Sequence, residues 1–187
     1  PASGEQACGE VGEGRMLEPE AIVRVLDEAI KNLARYTILI TAGPTFEDID
    51  PVRFIGNRSS GKMGFALADE AASQGAKVIL VAGPVYLPTP NGVERIDVRS
   101  AQQMHDAVMA RVGECHVFIA AAAVADYRPV QKCLQKIKKS EIAISLELER
   151  TADILADVAA LTNRPNCVVG FAAETERVEE YALGKLN

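Results

Sequence analysis

Three clusters of residues have the types and spacing to handle phosphorylated or activated groups. The first is Asn57-Arg58-Ser59-Ser60-Gly61-Lys62-Met63-Gly64, a polar, glycine-containing loop that runs into a predicted helix. Backbone N–H groups at a helix N-terminus, reinforced by the helix dipole, favour an anion such as phosphate. The alternative is an ordinary serine cap, with Gly61 and Gly64 letting the helix pack close to a sheet. The run lacks the Gly-x-x-x-x-Gly-Lys-Ser/Thr order of a Walker A loop, and it is not a Gly-x-Gly-x-x-Gly directly after the first strand.

Lys136, Lys138 and Lys139, in the tetrad KIKK, form the second cluster. Three ammonium groups can neutralise a triphosphate and the charge that develops at its reacting phosphorus. The same run also suits a solvated face. The third cluster is Ala122-Ala123-Val124-Ala125-Asp126-Tyr127-Arg128, where a strand end of small residues lets a ligand approach backbone groups and Asp126 supplies an acceptor. Tight packing is the competing explanation, and the location at the carboxyl end of a strand favours a site.

These clusters depend on the elements that carry them. Apolar spacing predicts helices over Glu18–Leu33, Gly61–Gln74 (with Ser59 or Ser60 as N-cap and Gly75 as the stop), Ala101 to about Val112, and Ala152–Leu161. Continuous apolar runs predict buried strands at Thr37–Ala42, Lys77–Ala82, His116–Ala123 and Asn166–Ala172, with a shorter one at Val93–Val98 and an irregular stretch from Thr45 to Ser60. Such strands alternating with amphipathic helices imply an α/β fold, a doubly wound, mostly parallel sheet of Rossmann-like layout. Ligands of open parallel sheets sit outside the strand carboxyl ends, so the loops opened by Gly43, Gly83, Ala123 and Phe171 should converge. Asp126–Glu149 interrupts the alternation, and Ile142, Ile144, Leu146 and Leu148 at period two read as an antiparallel strand in a projecting flap or arm.

Composition bounds the function. At 187 residues with 48% apolar and 25% charged side chains, the chain suits one ordinary domain with enough apolar residues for a core. A net charge of −6 argues against nucleic-acid binding, which needs clustered cations over the phosphates. No apolar run nears the roughly 18–20 residues that span a bilayer. Pro1–Gly14 is acidic and glycine-rich rather than basic then apolar, so a cytoplasmic protein is expected. Cys8, Cys115, Cys133 and Cys167 show no Cys-x-x-Cys pair, and the two histidines, His105 and His116, lack metal-ligand spacing. The residues nominate no metal ligands.

Taken together and in order, ITAGPT (40–45), DPVRFIGNRSSGKMG (50–64), AAVADYRP (122–129), KIKK (136–139) and GFAAET (170–175) resemble the synthetase domain of the bacterial bifunctional phosphopantothenoylcysteine decarboxylase/synthetases of coenzyme A biosynthesis. The resemblance implies a ligase. In it the carboxylate of 4'-phosphopantothenate attacks the α-phosphate of CTP, pyrophosphate leaves, and the L-cysteine amine displaces CMP from the acyl-cytidylate, with Mg2+ present. It further implies that Asn57 contacts the acyl carbonyl, that Lys136 assists formation of the intermediate, and that Ala122 offers backbone contact to the activated acyl or nucleotide moiety. By the same resemblance Asp126, Ala152, Asp153, Ile154, Leu155, Phe171 and Lys185 line the CTP pocket with Lys136, and Ser59, Ser60 and Gly61 lie near phosphates.

Residues 1–19 resemble the tail of the family's FMN-dependent decarboxylase domain, with Cys8 at its catalytic cysteine and Glu10 where that motif has Asp. The synthetase domain is then expected over 20–187, C-terminally incomplete, with its flap at about 127–149 and a homodimer formed through that flap. The join Lys139-Ser140-Glu141 is shorter than the family's usual link. Two readings of other classes compete. A nicotinamide-dependent reductase predicts a glycine fingerprint after the first strand and an acidic residue ending the second, which Gly43-Pro44-Thr45 and Gly83-Pro84 do not supply. A non-catalytic assembly module predicts that replacing Asn57 costs nothing.

Overall fold

The computed structural model describes residues 2–5, 11–15, 23, 33–139 and 145–171. Near the start, β1 (Ala2–Glu5) and β2 (Val11–Arg15) pair antiparallel. The helix expected over Glu18–Leu33 lies mostly outside the described residues; Val23 is helical and buried, and a 3-10 turn covers Leu33–Arg35.

The main sheet holds β3 (Thr37–Ala42), β6 (Lys77–Ala82), β7 (Val93–Asp97), β8 (Val117–Ala120) and β11 (Cys167–Gly170) in the order β11-β8-β3-β6-β7. Every pairing in it is parallel. The central strands are apolar at nearly every position because both faces are covered. Ile38, Ile40, Val78, Leu80, Val117 and Ile119 pack on the side of α1 (Lys62–Ser73), with Phe65, Leu67, Ala68 and Ala71. Leu39, Ile79, Val81 and Phe118 point the other way, against Met104 and Val108 of α2 (Ala101–Arg111) and Ile154 and Val158 of α3 (Ile154–Ala159). Alternate residues thus serve opposite faces, as the period of two along a strand requires. The doubly wound α/β expectation holds.

Three local expectations differ. The stretch 45–60 is not irregular throughout: β4 (Phe46–Asp48) and β5 (Phe54–Gly56) form an antiparallel hairpin. Its strands are three residues each, too short for a period-two signal. The N-cap of α1 is neither Ser59 nor Ser60 but Gly61, at φ 73° with no side-chain cap. The Ser59 hydroxyl accepts from Gly61 N at 3.2 Å instead, one step ahead of the helical N–H groups that a cap would satisfy. A side chain at Gly61 would be strained by that φ and would meet Val85 Cγ1 at 3.1 Å and the Gly43 backbone at 3.3 Å.

In the arm, the strand is β10 (Leu148–Arg150), paired antiparallel with β9 (Tyr127–Pro129). It starts where the period-two run ends, and Ile142 and Ile144 lie outside the described residues.

Candidate functional site

The sheet order reverses between β3 and β8: from β3 the chain first winds through β6 to β7, then returns to add β8 and β11 on the other side. The loops leaving β3 and β8 therefore flank the switch-point crevice, the usual ligand position of such sheets.

Buried threonines fix both loops. Thr41 Oγ1 accepts from Ala122 N at 3.3 Å, and the fully buried Thr45 accepts from Ala125 N at 2.9 Å through its Oγ1. A parallel bridge between Pro44 and Ala123 extends the pairing past the strand ends, with Ala123 N donating to Gly43 O at 2.9 Å. Neither threonine was nominated by spacing, though Thr45 directly follows the Gly43-Pro44 that ends β3.

Asn57 follows β5, and its Nδ2 donates to Val124 O at 2.8 Å. A side-chain amide carries two N–H donors and one acceptor, so this bond leaves one N–H and Oδ1 for another partner. Beyond it, Ser59-Ser60-Gly61 leads into α1, whose first N–H groups have no intrahelical acceptor and no side-chain cap. Close packing aims this terminus: a Cβ on Gly64 would stand 2.5 Å from Ala42 Cβ and 3.1 Å from Thr41 O. The close-packing role of Gly64 and the anion-favouring helix end therefore coexist.

On the other side of the crevice, Thr151 stitches the β8 loop to the entry of α3, its Oγ1 donating to Ala125 O at 2.6 Å and its N to Asp126 O at 3.0 Å. Asp126 is exposed there beside half-buried Ala152. Asp153 caps α3, accepting from Ala156 N at 3.0 Å. The Ile154 side chain is buried in the core, and Leu155 is half-buried against Gly170. Phe171 follows β11 next to β8, half-buried. Ala122 is half-buried with its N–H already donated to Thr41, so its carbonyl is the group it retains for a ligand. The structure therefore brings Asn57, Ser59–Gly61, Ala122, Asp126, Ala152–Leu155 and Phe171 to the carboxyl edge of the sheet. Lys185 and Cys8 lie outside the described residues.

Lys136 is exposed on the arm, which the β4–β5 hairpin holds at three points. Lys132 Nζ donates to Asp48 Oδ2 at 2.6 Å, Cys133 N donates to Ile49 O at 2.9 Å, and Ile137 N donates to Asp50 Oδ2 at 3.1 Å. Asp50 is buried. Burial opposes its charge, but the N–H groups of Val52, Ile137 and Arg53 and the Arg53 guanidinium outweigh that and hold its carboxyl below the ordinary range.

A cavity of about 320 Å³ lies behind the hairpin, lined among others by Asp48, Arg99, Arg128 and Lys132. It includes none of the residues just placed at the sheet edge, and its charges already have partners: Arg99 and Lys132 pair with Asp48, Arg128 pairs with Glu149, and Glu47 accepts from Ala101 N. Among the described residues no group of three His, Cys, Asp or Glu side chains is placed to hold a metal ion, and no helix is long and apolar enough to cross a membrane.

Comparison with known proteins gives this geometry its context. Residues 33–187 match the model of the DNA/pantothenate metabolism flavoprotein C-terminal domain. The chain is 57% identical over 190 residues to the coenzyme A biosynthesis bifunctional protein CoaBC of Vibrio cholerae, covering 100% of this chain and 48% of that protein. It is 51% identical over 191 residues to CoaBC of Escherichia coli K12, covering 99% and 47% respectively. A crystal structure of the C-terminal domain of a CoaBC protein superposes with a TM-score of 0.72 at 49% identity, over 82% of this chain and 72% of that one. The chain spans about half the length of the curated relatives it matches. With a doubly wound parallel sheet whose order reverses between β3 and β8 and with this extent of identity, the chain belongs to the DNA/pantothenate metabolism flavoprotein C-terminal domain family, represented by the C-terminal domain of CoaBC.

Proposed function

We propose that this chain is a phosphopantothenate–cysteine ligase module of coenzyme A biosynthesis, working through an acyl-cytidylate made from CTP. The observation that carries the reading is the bond from Asn57 Nδ2 to Val124 O. It holds the Asn57 amide over the β8 edge of the crevice and leaves donor capacity for a carbonyl there.

In the proposed reaction a carboxylate oxygen of 4'-phosphopantothenate forms a bond to the α-phosphorus of CTP, and the bond to the bridging oxygen breaks to release pyrophosphate. The L-cysteine amine then attacks the acyl carbon, loses a proton, and expels CMP. The N-terminus of α1, with Ser59 and Ser60, supplies donors to phosphate oxygens. Asn57 orients the acyl carbonyl. Asp126, Ala152–Leu155 and Phe171 bound the nucleotide side, joined by Lys185. Lys136 offsets charge at the reacting phosphorus. Mg2+ would be held by the triphosphate's own oxygens, since no cluster among the described residues is placed to hold it, and would screen the triphosphate's charge. In this reading FMN and decarboxylation belong to a separate domain of the bifunctional protein, and residues 1–19 with Cys8 are the tail of that domain.

The test mixes the folded full-domain protein with Mg2+, 4'-phosphopantothenate and either CTP or ATP, with and without cysteine. Pyrophosphate release that needs both nucleotide and pantothenate is expected, with CTP preferred and Asn57→Asp strongly impaired. Silence with every combination overturns the ligase reading. An unchanged Asn57→Asp protein overturns the role of Asn57.

A homodimer through the hairpin and arm fits the same fold. Val52, Phe54, Tyr127, Val130, Leu134, Leu146 and Leu148 are large apolar side chains exposed on these two elements, Leu134 at 89%. Grouped apolar exposure of this kind marks interaction surfaces. Sedimentation equilibrium is expected to return twice the protomer mass.

A further inference from the structure

The two oxygens of Asp50 do different jobs. Oδ1 accepts from Val52 N at 2.7 Å and Arg53 N at 2.8 Å, which shapes the turn of the β4–β5 hairpin. Oδ2 accepts from Arg53 Nη1 at 2.6 Å and from Ile137 N at 3.1 Å. The Arg53 guanidinium in turn reaches Ile137 O through Nη1 and Nη2, both at 3.4 Å. Both polar groups of one arm residue are thus gripped by one ion pair. Ile137 directly follows Lys136, and β5, which starts at Phe54 just after Arg53, leads straight into Asn57.

We propose that Asp50, acting with Arg53, is a positioning residue for Lys136. The pair gives Lys136 and Asn57 a common anchor, so the arm lysine and the crevice amide are placed in register by one buried carboxylate. This role rests on the ligase reading above.

A buried, fully bonded carboxylate suits the task better than an exposed one. Its geometry is set by four donors, and losing its charge removes only the half that faces the arm. Asp50→Asn makes that separation. The remaining Oδ1 still accepts from Val52 N and Arg53 N, whereas an amide NH2 in place of Oδ2 accepts from neither Ile137 N nor Arg53.

The experiment uses the intact protein with two readouts. Without substrates, tryptic cleavage after Lys136 and Lys138, mapped by mass spectrometry, is expected to accelerate roughly tenfold or more in Asp50→Asn, because cleavage tracks the population of the released segment. With Mg2+, CTP and 4'-phosphopantothenate, kcat for pyrophosphate release is expected to fall about 10- to 100-fold, the scale of an ångström misplacement of a reacting group. KM for both substrates should stay within about threefold, as expected when ground-state binding is spared.

Cleavage at the wild-type rate overturns the tether, whatever the activity. Faster cleavage with unchanged kcat, or a raised KM at unchanged kcat, overturns the positioning role. If the wild-type protein releases no pyrophosphate, the ligase reading fails and the positioning role with it, while the cleavage result still decides the tether. Should Asp50→Asn not fold, Arg53→Met takes the same two measurements. It removes both guanidinium contacts to Ile137 O and leaves the Oδ1 bonds of the turn in place.

Discussion

Gly64→Ala sets two known effects against each other, and the geometry decides the sign. Within a helix alanine is favoured over glycine by at most about 1 kcal/mol, the helix-interior value, and Gly64 is the third residue of α1. Residue 64 faces β3, however, and the added methyl would sit 2.5 Å from Ala42 Cβ, 3.1 Å from Ala42 Cα and 3.1 Å from Thr41 O. Carbon atoms rest at about 3.5–4.0 Å, so α1 must back away by roughly 1 Å. Overpacking of a tight core costs about 1–3 kcal/mol, and an overlap this deep against backbone belongs at the upper end. The net expectation is a loss of about 1–2 kcal/mol after the helix gain is subtracted. For a protein of this size that lowers the thermal midpoint by roughly 2–8 °C.

On the ligase reading pyrophosphate release should fall as well, because the same displacement moves the N-terminus of α1, the end proposed to donate to phosphate oxygens. Adding Ala42→Gly removes the closest overlap. The double variant should therefore be less destabilised than the sum of the singles by at least about 0.5 kcal/mol, the range of contacting pairs. Calorimetry on the four proteins of the cycle is the assay. A raised midpoint in Gly64→Ala, or strict additivity in the cycle, would refute the packing argument.

Thr45→Val removes a buried acceptor from Ala125 N and should cost about 1–3 kcal/mol in denaturant titration, whereas Thr45→Ser, which keeps the hydroxyl, should cost less. A larger loss in Thr45→Ser than in Thr45→Val would show that the methyl, not the hydrogen bond, matters. For pH, Asp48 is held below its ordinary 3.8 mainly by the hydrogen bond from Arg99, against some desolvation and with help from Lys132, and Asp50 is lowered by its N–H partners despite burial. A carboxylate with a depressed folded value stabilises fully above the unfolded value and loses that contribution as pH falls through the folded one. Thermal midpoint and exchange protection of the Ile137 amide should therefore be flat from pH 7 to about 4 and drop below it. A loss centred between pH 5 and 7 would assign the hold on the arm to other groups.

Much of the frame was legible in the residues. TILITA and KVILVA are strands at the bounds their apolar runs indicate, because both faces of a central parallel strand are buried and no other element tolerates such runs at that length. Asn57, the Ser59–Gly61 run and the Ala122–Asp126 segment were found by type and spacing or by resemblance, and the structure brings them to one sheet edge. What escaped is what depends on distant partners. Thr41 and Thr45 look like ordinary polar residues until β8 arrives to donate Ala122 N and Ala125 N, more than 75 residues later. Asp50 reads as the start of an Asp-Pro turn, and nothing local announces that its second oxygen will hold Ile137. The serine cap failed for a related reason: a left-handed glycine wedged against Gly43 and Val85 is a tertiary requirement.

The sheet order also has a consequence for when the crevice comes into being. β3 first pairs with β6, its near neighbour in the chain, while its other edge waits for β8, so that the Thr37 N–H meets the His116 ring across 79 residues. Closing the longer loop costs more chain entropy, and in vectorial synthesis β8 is also made later. The seam between β3 and β8 thus closes after β3 and β6 have paired. A ligand seated there would bind only the closed form and add its mass-action term to it, and so would act as a fastener on a pairing that joins distant parts of the chain.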